Sequence, residues 1–269
     1  MSKNLEVLIL VENSIYRRDL IAEHGLSFWF KYGDEEYLFD TGQGMALFEN
    51  AKKLDIDFNR LKAVFLSHGH DDHTGGLRQL LSINPDIDVI AHPDVFEAKY
   101  SRNKEIGMDV IKKDINLFRA VKDNKEIYPG IFLTGEVPRT NDFETKSKKY
   151  TIKIDEKIQI DTFRDDETLF IETNKGLVLL LGCSHSGIVN IIEYIKKLKG
   201  NDKIYAIIGG MHLINAGEDR IKQTISYLKK INFELLIPLH CTGFNAVRQM
   251  KNEFGDRVNV AHTGDRFIF

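Results

Sequence analysis

The sequence predicts a mixed α/β fold of two packed sheets with helices outside them. Strand-length apolar, β-branched runs alternate with segments whose apolar residues recur at helical spacing. The alternation recurs in both halves of the chain. A 42% hydrophobic share of 269 residues supplies a substantial core and excludes intrinsic disorder.

The first half opens β-rich. Leu5 to Glu12 reads as a strand, and Leu26 to Tyr32 with Glu36 to Asp40 reads as a hairpin turning at Gly33-Asp34. Met45 to Leu54 places Leu47, Phe48, Ala51 and Leu54 on one helical face, and Lys62 to Ser67 returns to strand. A helix follows over Gly75 to Leu81, then a strand over Asp88 to Ala91, a helix opening near Pro93, and an amphipathic helix through Val110 to Val121. From Asp123 to Asp165 the pattern weakens, and the charged stretch Asn141 to Lys149 separates the short runs Ile131 to Leu133 and Tyr150 to Ile154. The expectation is a single domain over 1–269 with an inserted α/β segment at about 94–165 covering the cleft. Lys146, Lys148 and Lys149 read as a solvated loop. Regular alternation resumes with strands Leu169 to Thr173 and Leu177 to Gly182, helix Gly187 to Lys199, strand Lys203 to Ile208, helix Glu218 to Lys230, strand Leu235 to Leu239 and helix Phe244 to Phe254.

Charge and cysteine content narrow the function classes. Lys plus Arg (37) nearly balances Asp plus Glu (40), so no overall positive field gathers nucleic acid. The longest apolar stretches fall far short of the roughly 20 residues that span a bilayer, and Lys3 and Glu6 interrupt any signal-peptide core. A cytoplasmic protein acting on a small molecule, without nucleic-acid or membrane partners, is expected. Cys183 and Cys241 lack a C-x-x-C spacing and read as small buried hydrophobes.

The chemical signal is Ser67-His68-Gly69-His70-Asp71-Asp72-His73, which leaves a strand end and enters a helix. Three imidazoles and a carboxylate in one loop suit borderline metals, with Zn²⁺ first and Fe²⁺ or Mn²⁺ as alternatives. A catalytic metal takes about three protein ligands and keeps one position open, so further donors must come from elsewhere. His185, His212 and His240 share one context, directly after an apolar strand, and His185 and His240 precede small-residue turns. All three read as ligands.

These residues resemble the metallo-β-lactamase superfamily over nearly the whole chain: Asp40-Thr41-Gly42, His68 to His73, His185 and His240 fall where its motifs fall. Ala22 to Ser27, Gly135 to Arg139, Gly182 to His185, Gly209 to Leu213 and His240 to Gly243 look like the branch typified by dihydropterin ribofuranosylaminobenzene phosphate synthases. The resemblance implies an αββα four-layer sandwich holding one or two divalent ions. His68, His70 and His185 would hold one ion, and Asp72, His73 and His240 a second, with Asp40 as an orienting carboxylate. Where most hydrolases of the superfamily carry a bridging aspartate, this chain delivers His212, which puts the second ion in question.

Hydrolysis by metal-activated water, with Asp72, His212 and Asp40 as catalytic groups, is the expected activity on a small anionic or heteroaromatic substrate. The alternatives are a synthase or transferase of the dihydropterin type and a non-catalytic metal-binding module. His24 is a candidate pocket residue. Arg139, Asp166 and Glu167 each read as a substrate contact or an ordinary surface ion pair. Phe28, Trp29 and Phe30 could serve a heteroaromatic substrate, although Phe28 and Phe30 fit a packed core better.

Overall fold

A computed structural model describes residues 3–144, 148–200 and 203–269, so Lys146 lies outside the described residues. Along the chain run β1 (Leu5–Val11), β2 (Ser27–Tyr32), β3 (Glu35–Phe39), α1 (Leu47–Lys53), β4 (Leu61–Phe65), α2 (Asp71–Thr74), α3 (Leu77–Ile83) and β5 (Asp88–Ala91). Eight short strands follow: β6 (Ala98–Ser101), β7 (Lys104–Glu105), β8 (Leu117–Ala120), β9 (Lys125–Tyr128), β10 (Ile131–Leu133), β11 (Tyr150–Ile154), β12 (Lys157–Ile160) and β13 (Thr168–Thr173). The chain closes with β14 (Gly176–Leu181), α4 (Ile188–Lys199), β15 (Ile204–Gly210), α5 (Glu218–Leu228), β16 (Leu235–Leu239), α6 (Phe244–Phe254) and β17 (Arg266–Ile268). No helix among the described residues is long and apolar enough to cross a membrane.

The chain divides into two compact units. The first comprises Lys3–Lys122, 148–165 and His262–Phe269 in its described part. Its main sheet has the order β17-β1-β2-β3-β4-β5-β8, antiparallel as far as β3 and parallel from β3 to β8. Leu8, Trp29, Leu38 and Val64 point to one face and form a core with Leu47 and Ala51 of α1 and Leu77 and Leu80 of α3. Each such buried aliphatic side chain contributes about 1.5–3 kcal/mol relative to exposure. The alternate residues Phe28, Phe30, Phe39 and Phe65 are fully buried on the other face, with Phe30 stacked on Tyr37 at 5.0 Å. The aromatic hairpin is therefore core material, Trp29 included, and its indole donates to Glu36 Oε2 at 3.2 Å.

The second unit comprises Asp123–Lys146 and Asp166–Ala261 in its described part. Its sheet has the order β16-β15-β14-β13-β10-β9, with β14, β15 and β16 parallel. Parallel neighbours need a crossover, and α4 and α5 supply the two. Ile188, Ile191, Ile192 and Ile195 of α4 pack with Leu177, Leu179 and Leu181 of β14 and with Ile221, Leu228 and Met250 from α5 and α6.

Two expectations change. Val110 to Val121 is not a helix; it holds a 3₁₀ turn at Lys112–Asp114 and then β8. The open edge of β5 offers backbone partners to Leu117–Ala120, and Phe118 reaches Phe96 at 5.0 Å from strand geometry. The span 94–165 also divides three ways: β8 extends the first sheet, β9 and β10 extend the second, and β6, β7, β11 and β12 form a separate four-stranded sheet in the first unit.

Candidate functional site

In the first unit, the chain leaves β4 through Ser67 and crosses His68-Gly69-His70 into α2, which carries Asp72 and His73. The His68 ring lies 4.5 Å from that of His70 and 4.4 Å from that of His73. Asp40, buried at the end of β3, aligns this loop. Its Oδ1 accepts from the Ser67 backbone N–H at 2.7 Å, and its Oδ2 accepts from Ser67 Oγ and His73 Nδ1, both at 2.7 Å. Since the Ser67 hydroxyl donates to Asp40, its lone pairs are left to accept from His68 Nδ1 at 2.9 Å. The network thus places the protons of His68 and His73 on Nδ1 and leaves Nε2 as the ligating atom. Burial, reinforced by the neighbouring imidazoles, pushes His68 well below the ordinary imidazole value, and burial lowers His70 to about 3. Both stay neutral, as a metal ligand must. Ligand atoms of His68, His70 and Asp72 lie within 4.8 Å of one another, a donor set and spacing that fit a divalent cation.

Gly69 allows that spacing, because a Cβ there would meet the Val95 carbonyl oxygen at 2.3 Å. Its N–H donates to Asp165 Oδ2 at 2.9 Å, and Asp165 is paired at 3.0 Å with Lys99, a fully buried ammonium. Burial works to lower the Lys99 pKa, but Asp165 and Asp161 reverse this and hold the amine charged. Beside the loop lies a cavity of about 230 Å³ lined by His24, His70, Asp72, Ser101, Lys104 and Tyr150 among others. His24 Nε2 stands 3.2 Å from Asp72 Oδ2, and the Tyr150 ring stacks on His70 at 5.6 Å.

In the second unit, three adjacent parallel strands deliver side chains at the same end. Cys183 and His185 follow β14, His212 follows β15, and His240 and Cys241 follow β16. The rings of His185 and His212 are 4.3 Å apart. Asp166 grips the first turn, accepting from the N–H groups of His185 at 3.0 Å and Ser186 at 2.8 Å. Burial raises Asp166 to about 6 against those hydrogen bonds. Arg139 donates to the His185 carbonyl at 2.8 Å. Ligand atoms of Cys183, His212 and Cys241 lie within 4.8 Å of one another.

Asp40, Ser184, His212 and His240 all take left-handed backbone, with φ between 48° and 60°. Such residues cost of order 1–3 kcal/mol each and cluster where a strand end must turn abruptly to aim a side chain.

The first unit therefore brings together Asp40, His68, His70, Asp72 and His73 and sets His24 against Asp72. The second brings together His185 and His212 and places His240 beside Cys241. Arg139 and Asp166 hold the His185 backbone, and Glu167 is buried. Sequence reasoning missed Ser67, Lys99 and Asp165 as supports, and it read as buried hydrophobes two cysteines that are buried and also lie within ligand distance of His212. Ser67 sits inside the motif, and each cysteine is within two positions of a predicted ligand, which is the signal that could have found them.

The model of the metallo-beta-lactamase superfamily matches residues 21–194. The chain is 33% identical over 280 residues to the 7,8-dihydropterin-6-methyl-4-(beta-D-ribofuranosyl)-aminobenzene-5'-phosphate synthase of Methanocaldococcus jannaschii, covering 97% of this chain and 95% of that one. The crystal structure of Tm1679, a metal-dependent hydrolase of the beta-lactamase superfamily, matches with a TM-score of 0.86 at 30% identity over 98% of each chain. YhfI from Bacillus subtilis, a metallo-beta-lactamase fold protein, matches with a TM-score of 0.64 at 16% identity over 99% of this chain and 100% of that one, a likeness of fold alone.

Proposed function

This chain belongs to the metallo-beta-lactamase superfamily and is an enzyme, and on that premise we propose that it is a metal-dependent hydrolase of a small anionic or heteroaromatic substrate. Its ligands for one or two divalent ions, zinc first, are His68, His70, Asp72 and His73 in the first unit and His185, His212 and His240 in the second. The observation that carries the reading is that His70 and Asp72 are themselves walls of a cavity shared with Lys104 and Tyr150. A divalent ion held there would supply Lewis acidity, polarising a carbonyl or phosphoryl oxygen and lowering the pKa of bound water towards neutrality.

The chain's own residues do the rest. Asp40 and Ser67 keep His68 and His73 in the tautomer that presents Nε2. Asp72 orients water and accepts its proton at a carboxylate oxygen, and His24, 3.2 Å away, passes the proton to solvent. The Lys104 ammonium suits an anionic group, and the Tyr150 face suits a planar ring. A second reading, a synthase or transferase of the dihydropterin type, draws on the 33% identity to the archaeal synthase. In that case the same residues position two organic substrates and exclude water.

Metal analysis of protein purified without added metal, followed by a screen of phosphodiesters, lactones, thioesters and a dihydropterin paired with an aminobenzene ribosyl phosphate, tests both readings. Hydrolysis of one of the first three classes, lost by about 100-fold or more in His70→Ala, supports the hydrolase. A joined pterin product replaces that reading with the second, and a metal-free active preparation overturns both.

A further inference from the structure

We infer that Cys183, His212 and Cys241 form a thiolate-imidazole donor set for a soft divalent ion. The inference rests on the metal dependence proposed above and adds to the histidine ligands a class of donor that the sequence reading left in the core. Three adjacent parallel strands, β14, β15 and β16, end beside one another and carry these residues on consecutive turns. Both thiols are buried, and the three ligand atoms fall within 4.8 Å. The turns are fixed independently of any ion. Ser184 Oγ donates to the Gly210 carbonyl at 2.7 Å, the Gly210 N–H donates to the Gly182 carbonyl at 3.0 Å, and the Met211 N–H donates to Thr242 Oγ1 at 3.1 Å. These three bonds tie β14 to β15 and β15 to β16 at the point where the donors emerge. Gly210 is held open for the sulfur: a Cβ there would meet Cys241 Sγ at 2.7 Å and the Gly182 carbonyl oxygen at 2.4 Å.

Two cysteines and one histidine are a zinc donor set that leaves a fourth position open. The set also bears on the charge at this site. A neutral imidazole in place of a bridging carboxylate would leave the site one charge more positive. Two thiolates beside it supply two negative charges and neutralise a divalent ion outright. Binding would release one proton from each thiol to solvent, with two sulfur–metal bonds and no change of oxidation state. Sulfur donors further select Zn²⁺ or Cd²⁺ over Mg²⁺ and Mn²⁺.

The test is to load the full-length reduced protein with Co²⁺ and record the near-ultraviolet absorption, where thiolate-to-cobalt charge transfer appears. The wild type is expected to show the band, Cys183→Ser and Cys241→Ser to lose about half of it each, and the double variant to lose all of it. His212→Ala should retain the band while its visible ligand-field spectrum changes. The wild-type measurement needs no variant to fold, and circular dichroism reports whether each variant does. Cobalt bound without a charge-transfer band, or a band that survives in the folded double variant, overturns the inference while leaving the histidine-based function standing. A chain that takes up no divalent ion overturns both.

Discussion

Lys99 carries its charge with no exposure to solvent, 3.0 Å from Asp165 and 3.5 Å from Asp161. Through Asp165 it is coupled to the Gly69 N–H, between two candidate ligands. Removing one partner of a buried ionic group leaves the other charges uncompensated, which costs about 3–5 kcal/mol. Lys99→Met is therefore expected to lose roughly that much stability in urea denaturation, whereas Lys196→Met, which removes an exposed pair with Glu193, should change it by under about 1 kcal/mol. Equal losses in the two variants would mean that Lys99 bears no special load. At this scale the candidate ligands were legible, because histidines and an aspartate in one short loop have little structural use there. The supports were not, because Lys99, Asp161 and Asp165 are separated from the loop by about 30 to 95 residues and only folding makes them neighbours.

The elements divide by how local their determinants are. Each strand of the second parallel set is a run of five to seven residues followed by a helix of eleven or twelve, and periodicity marks both. The strands β6, β7, β8, β9 and β12 are two to four residues long, and β12 is exposed throughout, so no apolar alternation announces them. Their pairing is decided by which sheet edge is vacant. The separate sheet built from β6, β7, β11 and β12 brings Ser101, Lys104 and Tyr150 to the cavity wall. Tyr150→Leu is accordingly expected to raise KM for an aromatic substrate by about tenfold, the value of one lost stacking contact of roughly 1 kcal/mol or slightly more, with bound metal per chain unchanged. A fall in metal content with KM intact would return Tyr150 to a purely supporting role beside His70.

For the whole molecule, two units each with its own apolar core account for a fold that was legible as α/β from alternation alone. The family was legible from four motifs spread over the chain, and its substrate was not, because a net charge of −3 and a scattered distribution of lysines single out no ligand. Metal held by the folded chain alone should add about 4 kcal/mol when free metal is 1,000-fold above its dissociation constant. Chelation is thus expected to lower Tm by roughly 10 °C while the far-ultraviolet circular dichroism below the transition stays unchanged. An unaltered Tm would show that the metal contributes nothing to the folded state. The left-handed backbone at Asp40, Ser184, His212 and His240 also bears on how this scaffold can diversify. Among residues with a Cβ, such φ values are tolerated best by Asn, Asp and His and worst by branched side chains. At His212 and His240 the inexpensive replacements are therefore themselves polar donors. Imidazole can give way to carboxylate or carboxamide with the chain trace unmoved, so the donor chemistry these two positions present can change by single substitutions.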